Sequence, residues 1–320
     1  MNLKSITDII EKSKPNAKTT TINNYASNLK ALMKIFEEDN LNFLTKFKEV
    51  EEKLSNKHYT SRRNYYNSII VYLQALDKHK NVLADYIDMR DDLNEQYQKE
   101  QLADVDGKRL ISEKQKPNFI TFEKLMEGIK RMEVELRGFK KDPKIKEKQK
   151  KMMLLQIYMI FQIHARLPLR LDLAGMEAIK KGDYNKLTDA EKKKTNWLVI
   201  EKNKLFMSLN QYKTNAKYKE IKFIVPKDLE KLLRAYLKIN GTGVLFKTAT
   251  GNPITRNVLS QLLLKYSKKY MEGKKISSTM LRKIVLSDKF GESNKEQEQM
   301  AKIAGHSVAT MNDVYIKDKD

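Results

Sequence analysis

One segment constrains the fold of this chain more than any other. MMLLQIYMIFQIHA, residues 152–165, is apolar on nearly every side when wound as a helix. A helix with one apolar stripe can lie on a surface, whereas a helix that is apolar all round has to be enclosed. It is also short of the roughly 20 residues that span a bilayer, and no apolar run in the chain approaches that length. The segment is therefore expected to form the buried centre of a domain, with its neighbours in sequence supplying the walls.

The segments around it show ordinary amphipathic patterns. In TTTINNYASNLKALMKIFEED, Ile22, Tyr25, Leu29, Leu32, Met33 and Phe36 recur at helical spacing, and the threonine run ahead of them supplies an N-cap. A shorter helix is expected around Phe43 to Leu54. TSRRNYYNSIIVYLQALDKH repeats the pattern with Tyr65, Tyr66, Ile69, Ile70, Leu73 and Leu76, and another helix runs from about Asn81 to Leu102. Residues 1–105 thus read as a small helical bundle. The polar, charged stretch over 106–118 reads as a linker, and 119–320 as a second domain. That domain opens with a helix in ITFEKLMEGIKRMEVEL, and a basic loop leads from it into the apolar helix. In WLVIEKNKLFMSLNQYKTNAKYKEIKFIVP the period changes to two, with breaks at Lys202–Asn203 and near Thr214–Asn215, which predicts three antiparallel strands. Helical patterns return from PKDLEKLLRAYL onward. The fold class is mainly α with a small antiparallel β-sheet.

Charge narrows the function. Lysine and arginine number 63 against 41 acidic residues, a net charge of +22. Such an excess is the electrostatic footprint of a polyanion binder, and nucleic acid fits it better than a membrane surface, because the basic residues are not gathered on one amphipathic helix. The absence of cysteine excludes disulfides, thiolate metal sites and cysteine nucleophiles. The N-terminal MNLKSITDIIEKSKP has early acidic residues and no apolar h-region, so no signal peptide is read there. A soluble, intracellular protein is expected.

In a chain so biased toward lysine, an arginine marks a place that needs a planar, bidentate donor. Arg170 in ARLPLRLDLAGM and Arg282 in ISSTMLRKIVLSD both sit in apolar, helical-looking context. The bland account of each is a buried ion pair, for example Arg170 with Asp172 or Glu177. Twenty-four residues beyond Arg282, a Gly-His-Ser turn presents His306, and nine residues later comes Tyr315.

Taken in order, these residues resemble the tyrosine recombinases, the phage-integrase, Xer and Cre-like family. Arg170 lies in a segment similar to that family's first arginine box, NQYKTNAKYKEIKFIVP resembles its lysine-bearing β-hairpin with Lys213 in place, and Leu-Arg, Gly-His-Ser and Tyr315 resemble its C-terminal signature. The likeness spans nearly the whole chain, with a helical core-binding bundle before the catalytic domain, and it is similar to versions found in large DNA viruses, virophages and related mobile elements. It implies a site-specific recombinase or integrase that cuts and rejoins duplex DNA through a 3′-phosphotyrosyl intermediate. No cofactor, metal or ATP is implied. The assembly implied is a tetramer on DNA, monomeric or weakly associated when free, located in a bacterial cytoplasm or in the nucleus or viral factory of a eukaryotic host.

By the same resemblance Arg170 and Arg282 clamp the phosphate, His306 donates to it, Lys213 protonates the leaving 5′-oxygen and Tyr315 is the nucleophile. Thr279 stands where the family carries a histidine or lysine, and threonine cannot act as a base at neutral pH. Arg166, one helical turn before Arg170, competes for the first arginine position, and Lys217 and Lys219 compete with Lys213. Arg62, Arg63 and Arg256 are further candidates for DNA contact, against a reading as solvated surface residues. The alternatives are a type IB topoisomerase, which uses the same two arginines, lysine, histidine and tyrosine, a DNA-binding protein that has lost catalysis, suggested by Thr279, and a protelomerase-like hairpin resolvase.

Overall fold

The computed structural model of the chain describes residues 2–102, 111, 115–139 and 144–303, the side chains of 100–102, 292 and 294–303 aside. The chain divides into two compact units, Met1–Leu110 and Ile111–Asp320. Among the described residues it is mainly helical with a single small sheet.

The first unit holds five helices: α1 (Leu3–Ser13), α2 (Thr19–Phe36), α3 (Phe47–Leu54), α4 (Tyr59–Leu76) and α5 (Lys80–Leu102). Their apolar stripes close on one core that includes Ile10, Leu29, Leu32, Leu54, Ile69 and Leu73. Asn2 caps α1 by accepting from the Ser5 N–H at 2.9 Å. α2 departs from expectation at its start. The threonine run lies inside the helix, Lys18 occupies the N-cap, and no side-chain cap forms there. Both α2 and α4 stop on a left-handed residue, Glu37 (φ 56°) and Asp77 (φ 47°). The helix expected around 43–54 is split at Lys46 into a 3-10 turn over Asn42–Thr45 and α3.

The second unit is organised around the all-apolar segment. α6 (Phe122–Arg137) precedes α7 (Ile145–Arg166), in which every residue from Gln156 to Ala165 is buried. After β1 (Glu177–Lys180), the short α8 (Lys181–Lys186) and α9 (Asp189–Lys192) lead to β2 (Trp197–Ile200) and β3 (Leu205–Leu209). A short α10 (Asn215–Tyr218) precedes β4 (Ile221–Ile224). Then come α11 (Lys227–Asn240), β5 (Gly243–Val244), α12 (Arg256–Tyr270) and α13 (Ser278–Ile303). α6, α11, α12 and α13 pack directly against α7 and enclose it. Gly128 leaves room for the residues at the end of α12: a Cβ there would lie 2.6 Å from Met271 Cγ.

The sheet has the order β4-β3-β2-β1-β5. β2, β3 and β4 are the antiparallel strands the sequence predicts. β1 and β5 extend it, and β1 pairs with β2 in parallel, so the sheet is mixed. Parallel pairing needs a crossover, and α8 with α9 provides it.

Candidate active site

α7 ends where proline forces it to. Leu167, just before Pro168, takes extended backbone (φ −122°, ψ 109°), as residues preceding proline do. Arg170 therefore sits in a loop and not in a helix. It is exposed, between the buried Leu169 and Leu173. Its backbone is held at both polar groups. The N–H donates to Asp172 Oδ2 at 3.2 Å, and the carbonyl lies 3.2 Å from Nε2 of the fully buried His164, whose Nδ1 is 2.8 Å from the Ile160 carbonyl. The anticipated ion pair between Arg170 and Asp172 does not form. The Arg170 guanidinium takes no bond among the described residues, and Asp172 Oδ1 instead accepts from Arg256 at 3.4 Å. Burial, outweighing the two carbonyls, keeps the His164 pKa below its ordinary value.

Arg166, the rival for the first arginine position, is engaged within the second unit through Nε and Nη1. Its guanidinium pairs with the Asp228 carboxylate and with the side chain of Gln162, and it donates to the Gln162 carbonyl at 3.2 Å. That arginine holds the Asp228 carboxyl below the usual carboxylate range. Lys289 of α13 donates to the Arg166 carbonyl at 3.2 Å, closing the end of α7.

α13 begins with Ser277 as its cap, the hydroxyl accepting from Met280 N–H at 3.2 Å. Thr279 is exposed on its first turn, and Arg282 follows one turn later on the same face. The Arg282 side chain is half-buried, and its Nε is buried with no hydrogen-bond partner among the described residues. Burial pushes its pKa down, the charge of Arg170 pushes it further, and Asp172 acts in the opposite sense. Two guanidiniums from distant parts of the unit thus lie within electrostatic reach of each other, with unused donors. Such an arrangement favours an anion between them.

Lys213 is exposed in the connection between β3 and β4. That connection is not an open hairpin tip: it folds through α10, with Tyr212 donating to the Lys219 carbonyl at 2.7 Å and Asn215 to the Asn210 carbonyl at 2.8 Å. Its root is tied to the Arg170 loop, because Arg256 donates both to Asp172 and, at 2.8 Å, to the Gln211 carbonyl. Of the rival lysines, Lys217 lies over the Tyr218 ring at 5.1 Å, and Lys219 is a positive-φ residue (φ 57°).

The described residues therefore put the Arg170 and Arg282 charges within electrostatic reach of each other, place Thr279 a turn from Arg282, and tether the segment carrying Lys213 to the arginine loop. His306 and Tyr315 lie outside the described residues. The other arginines singled out are not simply solvated. Arg63 stacks over Tyr97 at 4.5 Å, Arg62 Nη2 lies 3.9 Å from Met89 Sδ, and Arg256 belongs to the network above. Sequence reasoning missed His164 and Asn196 altogether. His164 was detectable only as a polar residue on an otherwise enclosed helix, and nothing local distinguishes Asn196. No helix among the described residues is long and apolar enough to cross a membrane.

No protein-family model and no curated protein matches the chain. Among solved structures it is similar to XerA recombinase, with 12% identity over 100% of this chain and 95% of that chain and a TM-score of 0.37. It is also similar to XerH site-specific recombinase bound to its difH substrate in a pre-cleavage complex, with 12% identity over 99% of this chain and 85% of that chain and a TM-score of 0.46.

Proposed function

We propose that the protein is a site-specific DNA recombinase of the tyrosine type, an integrase of a virus or mobile element, that cuts and rejoins strands without metal or ATP. The observation that carries this reading is the pair Arg170 and Arg282: guanidiniums within electrostatic reach of each other, neither held in an ion pair among the described residues, one with a buried Nε that has no partner there. A phosphodiester under attack gathers charge on its non-bridging oxygens, and two such groups bind that charge more strongly in the transition state than in the ground state. The ion pair of Arg166 with Asp228 and its bonds to Gln162 favour Arg170 as the first arginine.

In this mechanism the Tyr315 hydroxyl oxygen bonds to phosphorus while its proton passes to water, a loss eased by the positive field of the site in place of a base at Thr279. The P–O5′ bond breaks, and Lys213 delivers a proton to the departing 5′-oxygen. His306 donates to the phosphate. The 3′-phosphotyrosyl link conserves the bond energy, and attack by a second 5′-hydroxyl reverses the steps. The first unit, with residues 1–105 as its core-binding bundle, and the second would hold duplex DNA largely through lysine–phosphate contacts, so affinity falls steeply with salt. Exchange between two duplexes calls for four copies on DNA.

A covalent-trapping assay tests the reading. The protein is incubated with DNA fragments in EDTA, denatured in SDS and analysed for linked DNA, beside Tyr315→Phe. An adduct that survives EDTA and vanishes in the variant is the expected result. Tight sequence-specific binding with no adduct would sink the catalytic reading in favour of a DNA-binding protein, and single-strand religation without exchange would favour a topoisomerase.

A further inference from the structure

We propose that Asn196 is the positioning residue that sets Lys213 against the Arg170 loop, a role that rests on the function proposed above. Asn196 is only 2% exposed and stands immediately before β2. Its amide uses its whole bonding inventory on two segments. Nδ2 donates to the Asp172 carbonyl at 2.8 Å and the Gln211 carbonyl at 3.1 Å, and Oδ1 accepts from Asn210 N–H at 2.8 Å and Gln211 N–H at 2.7 Å. Asp172 is two residues after Arg170, and Gln211 is two residues before Lys213. Its own carbonyl accepts from Glu177 N–H at 3.0 Å, which fixes the clamp to the sheet. Arg256 repeats the link from the open side, donating to the Asp172 carboxylate and the Gln211 carbonyl.

A lysine ammonium is a point charge on a flexible stem, so its delivery depends on where the backbone root is held. A misplacement of about 1 Å can slow a reaction roughly 100-fold. Asn196 therefore acts through Lys213 without touching the reacting atoms. Its loss should damage proton delivery to the leaving oxygen and spare the rest of the chemistry.

Sulfur substitution isolates that step. Replacing the bridging 5′-oxygen by sulfur gives a leaving thiolate, whose conjugate acid has a pKa of about 8.5 and which departs without a proton donor. Single-turnover adduct formation is measured on a duplex carrying the site mapped by trapping with wild-type protein, once with the 5′-oxygen and once with the 5′-sulfur. Asn196→Asp, which keeps the acceptors and loses both donors, should slow the oxygen substrate about 30- to 100-fold and the sulfur substrate less than about 3-fold. Lys213→Ala should show the same selectivity. Arg256→Gln, at a half-exposed side chain, should show it at about 3- to 10-fold. Equal slowing of both substrates by Asn196→Asp and Arg256→Gln, or by Lys213→Ala, would overturn the assignment while leaving wild-type adduct formation intact. No adduct from wild-type protein on either substrate would instead remove the function on which it rests.

Discussion

The two units bury different kinds of residue. In the first, Ser68 is the one residue of polar type that is buried among the described positions. The second buries Gln156, Gln162, His164, Asp172, Asn196, Ser208, Asn210 and Ser267. An apolar core is satisfied by volume and shape and tolerates small shifts. A buried amide or carboxylate is satisfied only when each partner stands at bonding distance, and leaving one unmet costs about 1–3 kcal/mol. The first unit is thus built for cohesion, and the second also for holding particular backbone points in register, those beside Arg170 and Lys213 among them.

The largest effect that would sharpen this contrast lies in the arginines of the second unit. Arg170→Ala and Arg282→Ala should each lower the rate of adduct formation about 1,000-fold, near 4 kcal/mol of transition-state stabilisation. Arg170→Ala should leave unfolding within about 0.5 kcal/mol of wild type. Arg166→Ala, which breaks the contacts with Asp228 and Gln162, should do the reverse, losing about 1 kcal/mol of stability with adduct formation within a few-fold of wild type. The opposite pattern would transfer the phosphate to Arg166.

Next in size is the first unit's core. Leu29→Ala should destabilise it by about 2–5 kcal/mol, seen as a lower denaturant midpoint. Ser68→Ala, losing only the bonds to Asn28 Nδ2 (3.0 Å) and the Asn64 carbonyl (2.9 Å), should stay near 1 kcal/mol. Similar losses from both would contradict a core governed by shape.

The smallest effect concerns His164. It faces the Ile160 and Arg170 carbonyls, the Asp172 carboxylate and the charge of Arg282, and its pKa is depressed in the folded protein. The unfolded chain, with a histidine pKa of about 6.5, then binds the proton more readily. Stability is present above that value and is lost as pH falls below it, by at most about 1.4 kcal/mol per pH unit. Melting of wild type and His164→Gln at pH 7.5 and 5.5 checks this. The variant should lack the loss attributable to that one proton, and identical pH dependence would refute it.

How much of this was readable beforehand follows the same division. The enclosure of α7 and the helices of the first unit were legible, because apolar periodicity in sequence and apolar packing in space express one requirement. Arg170 and Arg282 stood out because arginine is scarce in a lysine-rich chain, but their electrostatic proximity comes from the packing of α13 on α7. Nothing in KKTNWL marks Asn196, whose partners are backbone groups at 172, 210 and 211. β5 is only two residues long, too short to display a period. The threonine run failed as a cap because the helix starts within it.

The Nε of Arg282, buried and without a partner among the described residues, has a consequence for how this protein would evolve under pressure. A position that is uncomfortable in the resting molecule is one that selection for robustness alone would discard. In a library challenged by heat and scored only for survival of the fold, apolar replacements at Arg282 should be enriched, while the same library scored for DNA cleavage should be purged of them. Enrichment of arginine there under both regimes would mean that the resting molecule gains from the residue. Divergence between the two would identify Arg282 as a residue retained for activity at the expense of endurance.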